Sequence, residues 1–128
     1  MADLKRDLIK YCRDRAKSKY NKGSECEICT STNELEFHHF NSMTQMLDKW
    51  LAKNKLKVET AEEIMSVRDS FIEEHQTEIY DLTTTLCKQC HLKLHAIYGK
   101  KPSLGTAAKQ ERWVQRQRDK YREKHGLV

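Results

Sequence analysis

Two Cys-x-x-Cys pairs separated by 57 residues constrain the fold of this chain more than any other feature of its sequence. The first pair is Cys26 and Cys29, and the second is Cys87 and Cys90. Four thiolates in two tight turns can form the closed tetrahedral shell that is usual for structural zinc. Neither pair is set in a βαβ pattern, which disfavours a thioredoxin-like redox site. The spacing therefore predicts one four-cysteine zinc site that closes a long loop.

The cellular setting that the sequence indicates also favours a metal over disulfides. The N-terminus lacks the apolar stretch of a signal peptide, and no apolar run reaches the roughly 18 residues of a membrane span. We therefore expect an intracellular, cytoplasmic protein with no membrane partner. Disulfides are rare in such a reducing setting, so the paired cysteines are predicted to bind metal.

Four histidines accompany the cysteine pairs. His91 directly follows the last cysteine, and His95 lies four residues further on, so a helix starting there would present both on one face. His38 and His39 lie near the end of a predicted strand at residues 34–40. Strict alternation would send these two to opposite faces, so we predict that the strand ends or bulges there if both serve one site. Since the thiolates fill the zinc shell, the histidines can build a second site.

A strand with two histidines facing a helix with one or two more predicts a ββα-metal geometry. A divalent cation on imidazole ligands can bind a phosphate oxygen and stabilise negative charge. An imidazole that does not bind the metal can accept a proton from water, because its ordinary pKa lies near neutrality. Phosphodiester hydrolysis requires both of these functions.

The charge of the chain is divided between basic ends and an acidic centre. Residues 1–22 carry a net charge of +5 and residues 100–128 a net charge of +6, which leaves −6 for the segment between them. Such basic ends favour a polyanionic partner such as a nucleic acid, although a single Lys/Arg-rich helix is often only a solvated surface. The candidate residues for contacts with a nucleic acid are Lys100, Lys101, Arg112, Arg116 and Arg118.

We predict a single α+β domain, residues 1–128, that is mostly helical. Charged residues make up 34% of the chain and hydrophobic residues only 38%, so a metal staple would stabilise a thin core. The helical insert carries an apolar stripe of core residues: Met43, Met46, Leu47, Trp50 and Leu51. The predicted parts are a basic helix at 3–21, a ββα-metal core with its four-cysteine zinc site at 25–98, a helical insert at 42–78 and a basic helix at 106–125.

These motifs resemble the HNH (His-Asn-His) endonuclease family, in particular its zinc-stapled phage and bacterial members. The resemblance covers about residues 25–96 and rests on both Cys-x-x-Cys pairs, on the Leu-Glu-Phe-His-His-Phe run at 35–40, and on the Leu-Cys-x-x-Cys-His-x-x-x-His run at 86–95. It implies a DNA endonuclease that uses one divalent cation and leaves 5′-phosphate and 3′-hydroxyl ends.

The resemblance also implies roles for individual histidines. His38 matches the family's metal ligand, and His39 matches the general base that activates water. His91 matches the distal metal ligand on the helix. His95 matches a position that helps to ligate the metal or contacts the scissile phosphate.

The chain departs from the family pattern at the central Asn. The family has Asn shortly before the second cysteine pair, whereas this chain has Asp81 in a stretch that is one residue longer. Asp81 could replace the Asn as an acceptor that fixes the loop, or it could approach the metal. Thr83 is a second candidate for the central role.

The sequence therefore predicts a metal-dependent DNA endonuclease with a histidine general base. Its catalytic cation would be Mg²⁺, Mn²⁺ or Ni²⁺, since imidazole ligands suit several ions, and its structural ion would be Zn²⁺. The alternative is a non-catalytic zinc-stapled module that binds DNA or protein, and a zinc protein that binds RNA is a further alternative. No sequence feature specifies an oligomeric state.

Overall fold

The computed structural model describes residues 8–126 and has an α+β fold that is mostly helical, as predicted. Five α-helices occur in this part of the chain: α1 Leu8–Ala16, α2 Met43–Lys53, α3 Ala61–Glu74, α4 Lys88–Tyr98 and α5 Ala107–Lys124. The strands are β1 Leu35–His39 and β2 Thr83–Cys87. Shorter turns are the 3-10 turns Lys17–Lys19 and Leu104–Thr106 and a π-helical turn, Thr77–Asp81.

The two strands form an antiparallel ribbon against which helix α4 packs. Leu35 pairs with Cys87 at one end of the ribbon and His39 pairs with Thr83 at the other. Helix α4 starts directly after β2, because Cys87 caps it. The Sγ atom of Cys87 accepts a hydrogen bond from the backbone N–H of Cys90 at 3.5 Å. The second cysteine pair therefore lies at the junction between strand and helix.

The two histidines of β1 lie on opposite faces of the strand. Pairing is regular up to His39, where β1 ends without a bulge. The ring of His38 packs against Phe40, with centroids 5.4 Å apart, and the ring of His39 packs against Phe37, with centroids 5.1 Å apart. Alternation along the strand therefore holds through both histidines. β1 ends at His39, where the sequence predicted an end or a bulge, but this end does not bring the two rings to one face.

Helices α1, α2 and α3 form the first of two hydrophobic cores. The apolar stripe of α2 is buried, as the sequence predicted, and the remaining buried members come from α1, α3 and the π-helical turn: Ile9, Cys12, Ala16, Ile64, Phe71, Ile72 and Ile79. Cys12 has no solvent exposure and lies far along the chain from the Cys-x-x-Cys pairs. It is therefore a small core residue of the first core.

The N-terminal helix is shorter than predicted. Residues 3–7 lie outside the described part of the chain, and α1 ends at Ala16 rather than near residue 21. After a 3-10 turn, Tyr20 adopts an extended backbone with φ −68° and ψ 130°. This turn away from the helix lets the Tyr20 ring stack on Phe37 with centroids 4.5 Å apart.

Helix α3 also ends before the predicted boundary. It begins after its Thr60 cap and ends at Glu74, before the end of the predicted helical insert at residue 78. A π-helical turn follows, closed by a 2.8 Å hydrogen bond from the N–H of Leu82 to the carbonyl of Thr77. This turn places Ile79, which has no solvent exposure, in the first core and brings the backbone next to the end of β1.

The second hydrophobic core is smaller and contains three of the paired cysteines. Val114 joins α5 to it, and Trp113 packs at its edge. Its other buried members are Cys26, Ile28, Phe40, Leu86, Cys87, Cys90 and Leu94. Among residues 8–126, no helix is both long enough and apolar enough to cross a membrane.

Candidate active site and metal centres

The four paired cysteines converge on one point. The sulfur atoms of Cys26, Cys29, Cys87 and Cys90 all lie within 4.8 Å of one another. Those of Cys29 and Cys87 are 3.6 Å apart, and all four thiols are free of disulfides. Tetrahedral zinc with Zn–S bonds of about 2.3 Å places its sulfur ligands about 3.8 Å apart. The cluster could therefore hold a metal such as zinc.

Backbone hydrogen bonds hold the first cysteine pair in place. The N–H of Cys26 donates to the carbonyl of Ser31 at 2.8 Å, and the N–H of Thr30 donates to the carbonyl of Cys26 at 3.0 Å. The N–H of Glu27 donates to the carbonyl of Thr85 in β2 at 2.9 Å. The turn of the first pair is thereby attached to the strand that leads to the second pair.

A nearby positive charge would favour ionisation of the thiols in this cluster. Burial raises the pKa of Cys29 and that of Cys90. Burial also acts to raise the pKa of Cys26, but backbone N–H groups that hydrogen-bond to its sulfur reverse the shift, and the net pKa is lowered. A bound cation would convert all four thiols to thiolates, which is the ligand form.

Three histidines form a second cluster next to the sheet. One ring nitrogen each from His38, His91 and His95 lies within 4.8 Å of the others. The Nδ1 atom of His38 is 3.0 Å from the Nε2 atom of His91, and the Nε2 atom of His95 is 2.9 Å from the same atom. The strand supplies His38, and successive turns of α4 supply the other two.

The outer nitrogen of two of these rings faces an oxygen acceptor. The Nδ1–H of His91 donates to a carboxylate oxygen of Glu36 at 2.7 Å, and the Nδ1–H of His95 donates to the carbonyl of Gly99 at 2.7 Å. Gly99 has φ +90°, which glycine adopts without strain. With the outer nitrogen protonated, each inner Nε2 atom carries a lone pair.

Converging lone pairs are the arrangement that a cation requires. Carboxylate or carbonyl partners on the outer nitrogens are the usual second sphere of metal-ligating histidines. Zn–N bonds of about 2.0–2.1 Å put the nitrogens of a tetrahedral site about 3.3 Å apart. The observed spacing is a few tenths of an ångström shorter, so small ring movements would accommodate an ion.

His39 lies apart from this cluster and keeps one ring nitrogen without a partner. Its Nε2 atom is shielded from solvent and has no hydrogen-bond partner among the described residues. Tyr20 and Phe37 each pack against the ring edge-on, with centroids 5.1 Å away. The ring also hydrogen-bonds to the backbone of Ile79 in the π-helical turn.

Burial keeps both strand histidines neutral. Desolvation lowers the pKa of His38 to about 3, and desolvation together with the nearby Arg13 charge lowers the pKa of His39 to about 4. A neutral His38 can ligate a metal, and a neutral His39 can accept a proton.

Both groups of histidines contribute to the lining of a cavity of about 540 Å³. Helix α1 lines it with Lys10 and Arg13, and the segment after α4 lines it with Lys100 and Lys101. Among the described residues no Asp or Glu lines this cavity, so its field attracts anions. The four histidines complete the lining: His38, His39, His91 and His95.

The remaining sequence-predicted residues lie elsewhere. Asp81 is exposed at the end of the π-helical turn and belongs to neither metal-binding group of the described residues. The hydroxyl of Thr83 donates to the carbonyl of Tyr80 at 3.3 Å and so ties that turn to β2. Arg118 pairs with Glu27 beside the cysteine cluster at 2.7 Å.

The last two predicted DNA-binding residues, Arg112 and Arg116, are exposed on α5 and do not line the cavity. Sequence reasoning missed Glu36, Gln110, Lys10 and Arg13 as residues of the site. Glu36 could have been found, because it lies two residues before His38 and so on the same face of the strand. Lys10 and Arg13 belong to the basic N-terminal segment, but nothing distinguished them from its other basic residues, and Gln110 lies outside the motifs.

Comparison with known sequences identifies the family of this chain. The sequence model of the phage T5 nicking endonucleases, described as the Nicking endonuclease family, matches residues 1–126. The chain therefore belongs to the nicking endonuclease family.

One similar protein is the Putative COX1/OXI3 intron 1 protein of Saccharomyces cerevisiae, which is 34% identical over 89 residues. That match covers 70% of this chain and 8% of the yeast protein, so the chain corresponds to a small part of that relative. No solved structure matches the chain.

Proposed function

We propose that the chain is an HNH-type, metal-dependent DNA endonuclease that nicks duplex DNA by phosphodiester hydrolysis. One observation carries the proposal: the unpartnered Nε2 atom of His39 and a three-histidine cluster belong to residues that line the same cation-rich cavity. Hydrolysis of a phosphodiester requires a base for water and positive charge for the phosphate, and the two parts supply these functions.

The histidines divide the chemistry between them. His38 and His91, joined by His95, would hold one divalent cation, with Mg²⁺, Mn²⁺ or Ni²⁺ as candidates. A cation held there would supply positive charge that stabilises the negative charge developing on the phosphate during hydrolysis. His39 takes a proton from a water molecule whose oxygen bonds to phosphorus, while the bond to the 3′ oxygen breaks and that oxygen takes a proton from solvent water. The products are a 5′-phosphate and a 3′-hydroxyl.

The charged residues of the cavity rim would hold the DNA backbone. Lys10 and Arg13 reach the cavity from α1, and Lys100 and Lys101 reach it from the segment after α4. Contacts of this kind supply affinity and register and carry little sequence information. Arg112 and Arg116 on α5 remain candidates for phosphate contacts outside the cavity.

The elements that carry these residues support an HNH core within a single domain. Strands β1 and β2 with helix α4 would form the ββα-metal unit, and the four cysteines would hold structural zinc at its base. Because His91 follows Cys90 directly, the zinc site would fix the start of the helix that presents the catalytic ligands. In this arrangement α2 and α3 are an insert, and α1 and α5 are basic additions to the core.

A plasmid-nicking assay with His39→Ala tests the proposal. With Mg²⁺, Mn²⁺ or Ni²⁺, the wild-type protein should convert supercoiled plasmid to the open-circular form. Loss of the proton acceptor should slow this conversion by about 100-fold or more. His125→Ala is the matched control and should nick at the wild-type rate, because His125 is exposed after α5 and does not line the cavity.

Full activity of His39→Ala would refute the mechanism. A wild-type protein that binds plasmid in a salt-dependent way but never cuts it with any of the three metals would instead support the non-catalytic binding module. Cleavage of RNA alone would point to the RNA-binding alternative and away from DNA.

A further inference from the structure

The C-terminal helix places one uncharged polar side chain inside the candidate metal site. Gln110 on α5 has no solvent exposure. Its Oε1 atom is 2.8 Å from the Nε2 atom of His38. Burial of an amide costs free energy unless its donors and acceptor are paired. We therefore expect each polar group of this buried glutamine to have a hydrogen-bond partner.

Every polar group of Gln110 has a partner, and one of these partners fixes the orientation of the amide. The NH₂ group donates to the carbonyl of Phe40 at 3.1 Å and to the hydroxyl of Thr106 at 2.9 Å. The Phe40 carbonyl can only accept, so the NH₂ group must face it and the Oε1 atom must face His38.

The orientation of the amide determines which nitrogen of His38 carries the proton. Since Oε1 of Gln110 can only accept, the Nε2 atom of His38 must donate and therefore bears hydrogen. The Nδ1 atom of the neutral ring then carries the lone pair, and it is the nitrogen that lies 3.0 Å from His91. The reverse tautomer would direct an N–H into the three-histidine cluster.

We propose that Gln110 is a positioning residue of the three-histidine site, where it holds His38 in the tautomer that directs a lone pair at the metal. The proposal rests on the proposed function for the identity of the site as catalytic. It makes α5 part of the site, because Gln110 reaches His38 from a helix that follows the whole motif region. It also gives His38 an acceptor like those that Glu36 and Gly99 provide for the other two rings.

A purely structural role for Gln110 predicts a different outcome. If the side chain only fills space and satisfies Phe40, its loss would lower stability without a specific effect on His38 or on metal affinity. A positioning role predicts a defined tautomer in the metal-free site and a metal affinity that depends on the acceptor. Loss of such an outer partner typically weakens metal binding about 10- to 100-fold.

The test measures the tautomer and metal binding in untagged, zinc-loaded protein that carries His39→Ala, so that nicking plays no part. Ring ¹H–¹⁵N correlation spectra should show hydrogen on Nε2 of His38 before the second metal is added. Calorimetric titration with Ni²⁺ should show a site about 10- to 100-fold weaker in Gln110→Met. Gln110→Glu should stay within a few-fold of the parent, because it keeps an acceptor for His38. Gln115→Met, an exposed change on the same helix, is the control and should bind as the parent does.

Three results would overturn the proposal. Hydrogen on Nδ1 of His38 in the parent protein contradicts it directly, and this measurement needs no variant to fold. Unchanged Ni²⁺ affinity in Gln110→Met contradicts it as well, as does an equal loss in Gln110→Glu and Gln110→Met. None of these results depends on cleavage, so they are separate from a failure of the nicking assay.

Discussion

At the scale of single residues, the site depends on how the strand histidines are kept neutral. His38 and His39 are neighbours on β1, yet they face opposite sides and have different partners. His38 has its outer nitrogen held by Gln110, whereas His39 has an Nε2 atom with no partner among the described residues. Burial favours the neutral ring in both, which suits one to ligate and the other to accept a proton.

We expect nicking to persist well below the pH at which an ordinary histidine base fails. Burial and the Arg13 charge lower the pKa of His39 to about 4, so its ring stays unprotonated at pH 5.5. A base with an ordinary pKa near 6.5 would be about nine-tenths protonated there, and the rate would fall about tenfold. Rates at saturating metal should therefore differ by less than about threefold between pH 7.5 and pH 5.5. A tenfold fall with the metal demonstrably saturating would contradict this expectation.

The lowered pKa of His39 also makes the stability of the fold decrease as the pH falls. The folded pKa of His39 lies below the unfolded value, so the unfolded chain binds the proton more readily in the window between about 6.5 and 4. The stabilisation contributed by neutral His39 is complete above that window and is lost as the pH falls through it.

At the scale of elements, two separate segments bring positive charge to the cavity. Helix α1 supplies Lys10 and Arg13 from one side. The segment with Lys100 and Lys101 comes from the other and is fixed to α2, because the Gln45 amide donates to the carbonyl of Lys101 at 2.9 Å. The N–H of Leu104 returns a hydrogen bond to the same amide at 3.1 Å.

Removing the α1 charges should weaken DNA binding more than removing equal charge elsewhere. We expect Lys10→Gln with Arg13→Gln, in a His39→Ala background that does not cut, to lower the slope of log affinity against log salt by about 2. Lys120→Gln with Lys124→Gln removes the same charge from exposed positions on α5 and should change the slope less. Filter binding or fluorescence anisotropy on a duplex at several salt concentrations measures the slopes. Equal effects from both pairs would show that α1 contributes only net charge.

The sequence predicts part of this arrangement, and tertiary packing determines the rest. The cysteines and histidines can be recognised in the sequence because they are spaced one to four residues apart. The structure brings the four paired cysteines into one cluster and three of the histidines into another. The π-helical turn that carries Ile79 to His39 has no such signature, since it depends on how α3 packs in the first core. The role of Gln110 likewise cannot be predicted from the sequence, because its contact with His38 depends on how α5 packs against the sheet.

At the scale of the whole molecule, the site lies between two unequal cores. Helices α1 to α3 build the larger core from ordinary apolar residues, whereas the smaller core under the sheet includes Cys26, Cys87 and Cys90. The cavity takes residues from both sides, with Ile9 and Met43 from the first core and the histidines from the sheet and α4. The position of α4 then depends on the cysteine cluster at its first turn.

If the four cysteines hold a metal, its loss should unfold the smaller core. We expect wild-type protein to carry one tightly bound zinc, and Cys29→Ser to lose it together with the protection of β1, β2 and α4 from hydrogen exchange. Structural zinc contributes on the order of 10 kcal/mol in small zinc domains, far more than this core can recover from its few apolar side chains. Cys12→Ala is the matched control, because Cys12 is buried in the first core and outside the cluster. It should keep the zinc while losing some thermal stability.

Elemental analysis and hydrogen exchange on the same samples separate the possible outcomes. Protection lost in β1, β2 and α4 but kept in α2 and α3 would show that the metal stabilises the smaller core alone. Protection lost everywhere would show that the two cores unfold together, so that the metal stabilises the whole domain. Unchanged protection in a zinc-free Cys29→Ser protein would contradict a structural role for the metal. The apolar contacts of the smaller core would then suffice to hold His91 and His95 in place.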